Sequence, residues 1–295
     1  MSKKLITTIQ VLTIVTSLFL SGCSLVDGGP KPRVGYLPTD TFGIKFPDPN
    51  NLGQHAYGFN LSEKAGLVYT CRAGHVDLDH LRLCADTTRY VFNKIQNTLN
   101  SNERDFSFSL TGEMASHKIT FTYPQNWNSI PDSEKQQIID EIAFSAAPYL
   151  AYQAAVWHEI QTWFGVHFVG FEPEFNSAFS WEDNYSNLLG TKLGVKAIKS
   201  SQPYNQAMTD LIYRQLQILD VQPKEIAIHA SDKVRNEWYT GNLVPDMKIR
   251  NFNIGLDGTL EPLIIPVDQC HSKPLVLEVP KLEKLNKHGF KINYQ

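Results

Sequence analysis

The stretch PDSEKQQIIDEIAFSAAPYLAYQAAVWHEIQTWFG, residues 131 to 165, decides how the chain is read. Pro131 followed by Asp132, Ser133 and Glu134 has the composition of a helix opening, and Gly165 is the stop, so the spacing predicts one long helix to Phe164. Pro148 removes a backbone donor in its middle and predicts a bend there. After this helix, Ser180 with Asp183 three residues on forms a variant capping box for a helix to about Lys199, and 203–220 and 223–238 are two further helical stretches. Before it, 65–71 reads as a strand turning at Gly74. A helix from about Val76 to Asn100 follows, carrying Leu81, Cys84, Thr88, Val91, Ile95 and Leu99 at helical spacing. Phe106 to Thr111 and His117 to Tyr123 alternate as a hairpin does. Beyond Lys248, Pro262, Pro266, Pro274 and Pro280 break the chain into short strands, with Asp257-Gly258 as a hairpin turn. A helical middle of about five helices, flanked by short β-strands and hairpins, is an α+β fold. We expect it to form a single domain over 51–295, long enough for a sizeable core.

The first 22 residues have the layout of a secretory signal: Lys3 and Lys4, then an apolar run from Leu5 to Leu20 diluted by Thr and Ser. They end in Leu20-Ser21-Gly22-Cys23, the small-residue pattern after which bacterial lipoprotein precursors are cut. Cys23 is therefore expected to carry the lipid. Several acyl chains at about 0.8 kcal/mol per buried CH₂ anchor a protein stably without spanning the membrane. Ser24, in place of an aspartate, directs such a protein to the outer membrane, facing the periplasm. Residues 23–50 hold five prolines and several glycines and are expected to form an extended tether.

Removing the signal takes two lysines from the 27 basic residues, leaving 25 against 30 acidic ones and a net charge of −5. That mild balance gives no footprint for nucleic acid; the expected partner is membrane lipid, through Cys23. Beyond Cys23 the chain has Cys71, Cys84 and Cys270, an odd number in a compartment that permits disulfides, and the sequence leaves their pairing open.

Four runs stand out: Tyr69-Thr-Cys-Arg-Ala-Gly-His-Val-Asp-Leu-Asp-His-Leu-Arg82, Trp157-His-Glu-Ile-Gln-Thr-Trp-Phe-Gly165, Phe179-Ser-Trp-Glu-Asp-Asn-Tyr-Ser-Asn-Leu-Leu-Gly190 and Arg250-Asn-Phe-Asn-Ile-Gly-Leu-Asp-Gly258. Together they look like a domain-of-unknown-function family of Gram-negative lipoproteins. The resemblance implies a shared fold and site and brings no activity with it.

The chemistry must come from the residues. His158-Glu159 occupies the first two places of a His-Glu-x-x-His zinc motif, but Thr162 stands where the second histidine belongs. Ala151, Ala154 and Ala155 lie on the His158 side of the helix and invite a close neighbour. In the helix after Ser180, Asp183, Asn187, Gly190 and Gly194 share one stripe. Glycine inside a helix costs about 1 kcal/mol relative to alanine, so two aligned glycines call for close packing. If these small faces meet, Asp183 and Asn187 come near His158. A mononuclear hydrolytic centre needs three ligands and an open position for water. We expect His80, His158 and Asp183 as ligands of a divalent metal, zinc first, with Glu159 as general base, Asp77 and Glu182 as substitute ligands and Asn187 behind them. Three alternatives stay open. The polar groups can form a metal-free catalytic or binding site, or a purely structural network in which Asp77 caps its helix. Cys71, expected between a strand and a helix, can be a nucleophile with His75, His80 or His158 as its base. The functional expectation is an anchored envelope hydrolase acting on cell-wall or lipid material, against a non-catalytic binding or scaffolding lipoprotein.

Overall fold

A computed structural model of the chain describes residues 28–33, 35–39, 45–60, 62–110, 115–165, 174–242 and 245–295. The signal peptide and Cys23 lie outside the described residues.

The hairpin β1 (Leu67–Thr70) and β2 (Gly74–Asp77) turns where Gly74 takes a left-handed φ of +68°, and it runs straight into helix α1 (Leu78–Asn100). Asp77 ends the strand and caps the helix, its Oδ1 accepting the backbone N–H of Asp79 at 2.7 Å and of His80 at 3.3 Å. Next come β3 (Asp105–Phe108), β4 (His117–Thr122) and the long helix α2 (Asp132–Trp163), which carries Pro148 inside it. Helices α3 (Asp183–Ile198), α4 (Tyr204–Ile218) and α5 (Lys224–Lys233) follow. The chain closes with β5 (Thr259–Leu260), β6 (Leu277–Glu278), the short α6 (Glu283–Lys287) and β7 (Lys291–Tyr294). The architecture is α+β, as expected. No helix among the described residues is long and apolar enough to cross a membrane.

Three apolar clusters organise the packing. Along β3 and β4 the buried residues alternate, Phe106 and Phe108 with Ile119 and Phe121, so one face of the antiparallel sheet β3-β4-β7 covers the second half of α1 and the first half of α2. A second cluster joins β1 and β2 to the first half of α1, to α3 and to α4 through Val68, Val76, Leu81, Tyr185, Leu188, Met208 and Ile212. The third packs α5 against Tyr69, Trp181, Tyr239 and Ile265.

Four expectations need correction. Residues 28–33 and 35–39 are not a free tether: Lys31 pairs with Glu63, Arg33 binds Asp86 at 2.5 Å and Glu63 at 3.1 Å, and Ser231 donates to the carbonyl of Pro38 at 2.9 Å. Buried carboxylates up to 53 residues away in sequence outweigh the local Pro/Gly composition. The turn at Asp257-Gly258 does not join two paired strands, because β5, which follows it, pairs with β6 across the connection 261–276. Cys71 opens the turn between β1 and β2 and does not precede a helix. It is joined to Cys270, 199 residues on, so it has no thiolate to offer as a nucleophile. Finally, the glycine stripe of α3 does not meet the alanines of α2. A Cβ on Gly190 would overlap the carbonyl oxygen of Leu81, and one on Gly194 would lie 2.7 Å from that of Ala85, so both glycines seat α3 on the backbone of α1.

Candidate functional site

Because the glycines bring α1 and α3 into backbone contact, the amino-terminal turns of both helices come together. Asp183 in the first turn of α3 meets His80 in the first turn of α1: the imidazole Nδ1 lies 3.0 Å from Asp183 Oδ1 and 3.8 Å from Asp77 Oδ2. The contact is an ion pair by distance, without hydrogen-bond geometry at Nδ1. Burial alone would lower the His80 pKa. The negative charges of Asp77, Asp183 and Glu159 outweigh it and hold the ring well above its ordinary range, as an imidazolium. The carboxylates are more buried than the imidazole: the His80 side chain is 19 % exposed, that of Asp183 4 % and that of Asp77 0 %. Burial raises Asp77 despite the positive ring beside it, and its Oδ2 also accepts the backbone N–H of Tyr36 at 2.6 Å. Glu182 is likewise pushed well above the carboxylate range by burial and by Asp183, while Ser180 donates to its Oε1 at 2.8 Å. Asn187, one turn along α3, accepts from the buried Cys84 thiol at 3.2 Å.

The long helix α2 contributes from its last turns. Glu159 is buried, and its Oε2 accepts the backbone N–H of Phe179 at 2.8 Å. Phe179 has φ +55°, in the left-handed region that costs a bulky residue on the order of 1 to 3 kcal/mol. Three contacts hold it there: the Glu159 carboxylate on its N–H, the Asn251 N–H on its carbonyl at 2.8 Å, and Arg250, which donates to the carbonyls of Ala178 and Phe175. The Arg250 guanidinium lies against both Trp163 and Phe175, at 4.9 and 5.0 Å from the ring centroids, and feels the charges of Asp246, Asp183 and Glu159. Strained backbone beside a buried carboxylate is the kind of feature that gathers at functional sites.

The structure thus brings together His80, Asp183, Asp77, Glu182 and Glu159 from the sequence-predicted set. It does not arrange the expected metal triad as drawn. His80 and Asp183 face one another instead of a shared point, His158 is half-buried one position before the inward-facing Glu159, and about 100° separates neighbours on a helix. Among the described residues no group of three His, Cys, Asp or Glu side chains is placed to hold a metal. His167, just past the end of the long helix, lies outside the described residues. His75 is a packing residue, buried, with Nε2 donating to the Ala227 carbonyl at 2.9 Å and its pKa lowered to about 4 by burial.

Sequence reading missed Tyr36, Arg250 and a second polar cluster. In that cluster His55 sits between Glu63 at 3.1 Å and Asp86 at 2.9 Å, and Arg33, Arg82 and Tyr204 complete the surround. The large aromatic residues near these helix ends divide in two. Trp181 and Phe179 are core, whereas Trp157, Phe164, Phe175 and Phe252 are exposed.

Residues 42–257 match the family described as "Protein of unknown function (DUF4056)". No curated protein and no solved structure matches the chain.

Proposed function

The chain belongs to this DUF4056 family, and we propose that it is a lipid-anchored envelope hydrolase, at the outer membrane facing the periplasm, that acts on cell-wall or lipid material through His80 and Glu159. One observation supports this above the others: a partly exposed imidazole is clamped between two buried carboxylates where three helix ends meet. A structural histidine needs only a backbone partner, as His75 has; two desolvated carboxylates spent on a solvent-reaching ring fit proton transfer better. In hydrolysis, Glu159 takes one proton from the attacking water, whose oxygen bonds to the electrophilic centre as the scissile bond breaks. His80 gives its proton to the leaving group. Asp183 and Asp77 hold the imidazolium in place, and proton exchange with solvent restores both groups.

A second reading is metal-assisted, and one feature favours it. An imidazole whose Nδ1 is held by a carboxylate presents Nε2 in the way metal-binding histidines do, which would make Asp183 an orienting group and not a ligand.

The test uses the tag-free protein from Ser24 onward with isolated cell-wall sacculi and with phospholipid vesicles. Soluble products are expected from one of the two, with Glu159→Gln and His80→Gln each losing about 10²- to 10⁴-fold while remaining folded, His80→Gln at a lower melting point because it leaves Asp77 and Asp183 without their cation. No product from either substrate identifies a binding or scaffolding lipoprotein instead. A wild type that works only with added zinc, and melts higher in its presence, establishes the second reading. In cells, Cys23→Ala should leave uncleaved precursor unretained by the membrane, seen by fractionation and mass spectrometry.

A further inference from the structure

The amino-terminal strap crosses the candidate site. A Cβ on Gly35 would overlap the His80 ring at Nε2, so the backbone at Gly35 lies directly over the nitrogen that Asp183 leaves available. The strap is fixed on both flanks of that point. Before it, the Lys31 N–H donates to the Tyr57 carbonyl at 2.9 Å, Lys31 pairs with Glu63, and Arg33 reaches Asp86, Glu63 and the Ala56 carbonyl. After it, the Tyr36 N–H binds Asp77, and the Pro38 carbonyl accepts from Ser231.

Chain length gives this arrangement a consequence. Gly28 is five steps along the chain from Cys23, and an extended chain spans at most about 3.3 to 3.6 Å per residue, so a seated strap holds the start of the body within roughly 17 Å of a lipid on Cys23. Freeing the strap as far as Pro38 makes the tether 15 residues long, a reach of roughly 50 Å.

We propose that the strap is a latch that couples reach to access: seated, it keeps the body at the lipid surface with the Nε2 edge of His80 covered, and it must peel from Glu63 and Asp86 for the body to extend, which uncovers Nε2. This assigns the working state to a substrate lying away from the anchoring leaflet, such as cell wall. It builds on the lipid anchor and on His80 as the working group, but its test reads accessibility and not turnover, so the two can fail separately.

Diethyl pyrocarbonate acylates accessible neutral imidazole, and mass spectrometry of the full-length lipidated protein in detergent gives a rate for each histidine. His229 and His271 are exposed and serve as references, and buried His75 reports unfolding. In the wild type His80 should label far more slowly than the references. Arg33→Ala, which empties the charged seat, and Gly35→Ala, which wedges the strap off the ring, should each raise His80 labelling at least about tenfold while His75 stays protected. Labelling rates followed across pH and extrapolated to the neutral ring separate the cover of the strap from any change in protonation. Should Arg33→Ala also expose His75, Gly35→Ala decides alone. His80 labelling unchanged in Gly35→Ala, or as fast as His229 in the wild type, overturns the latch.

Discussion

Gly190→Ala should destabilise the protein by about 1 to 3 kcal/mol or prevent folding, although alanine is the better helix former by about 1 kcal/mol. The added Cβ would occupy the space of the Leu81 carbonyl oxygen and come within 3.0 Å of the Leu81 Cα, so it meets backbone that cannot rotate out of the way. Gly194→Ala should cost less, since the nearest atom there, the Ala85 carbonyl oxygen, is 2.7 Å off. The damage should not stop at stability. His80 lies in the turn of α1 just before Leu81, and Asp183 is on the wedged helix, so the 3.0 Å pair depends on the same close approach. Denaturant unfolding of both variants gives the order; equal stability to wild type in both would place the glycines away from a helix contact.

Cys270→Ser should cost about 2 to 5 kcal/mol, because the bond it removes closes a loop of 199 residues and so constrains the unfolded chain strongly. The segment it ties down matters locally as well. The backbone N–H of Cys71 binds the carbonyl of Asp220, Arg72 donates to the carbonyl of Lys273, and the Leu275 N–H returns to the Arg72 carbonyl, so the C-terminal segment is laced to the hairpin that leads into α1. A fall in the unfolding midpoint that a reducing agent reproduces in the wild type, and does not add to in the variant, is the expected pattern. Identical midpoints in all four samples would count against a formed disulfide.

The helices were legible because their signals are local. Pro131 with Asp132 and Glu134 opens α2, and the apolar positions of α1 from Leu81 to Leu99 are buried as their spacing predicts. The pairing of His80 with Asp183 was partly legible: aligned glycines announce close approach, but they do not say to what, and α1 rather than α2 proved to be the partner. For the same reason His158 was over-weighted. It sits beside Glu159 in sequence, yet a helix turns the two side chains in different directions, and only Glu159 is fully turned inward. The strap was not legible at all. Its prolines and glycines read as a tether, and nothing near Lys31 or Arg33 in sequence shows that Glu63 and Asp86 wait for them. Phe179 and Arg250 were hidden for a related reason, since a left-handed backbone held by distant carbonyls leaves no periodicity.

Whether His80 is a proton-handling group is tested most directly by following its ring nitrogens by NMR across pH. With Asp183 and Asp77 against it, both nitrogens should stay protonated through neutrality, and the midpoint should lie clearly above the ordinary value near ~6.5. Folding then raises the proton affinity of His80, so its contribution to stability is complete below about 6.5 and is lost as pH rises through the folded-state value. Asp183→Asn should bring the midpoint down towards the ordinary range while the fold persists. A wild-type His80 that titrates near 6.5, and does not respond to Asp183→Asn, would contradict the clamped imidazolium and the proton-transfer role with it.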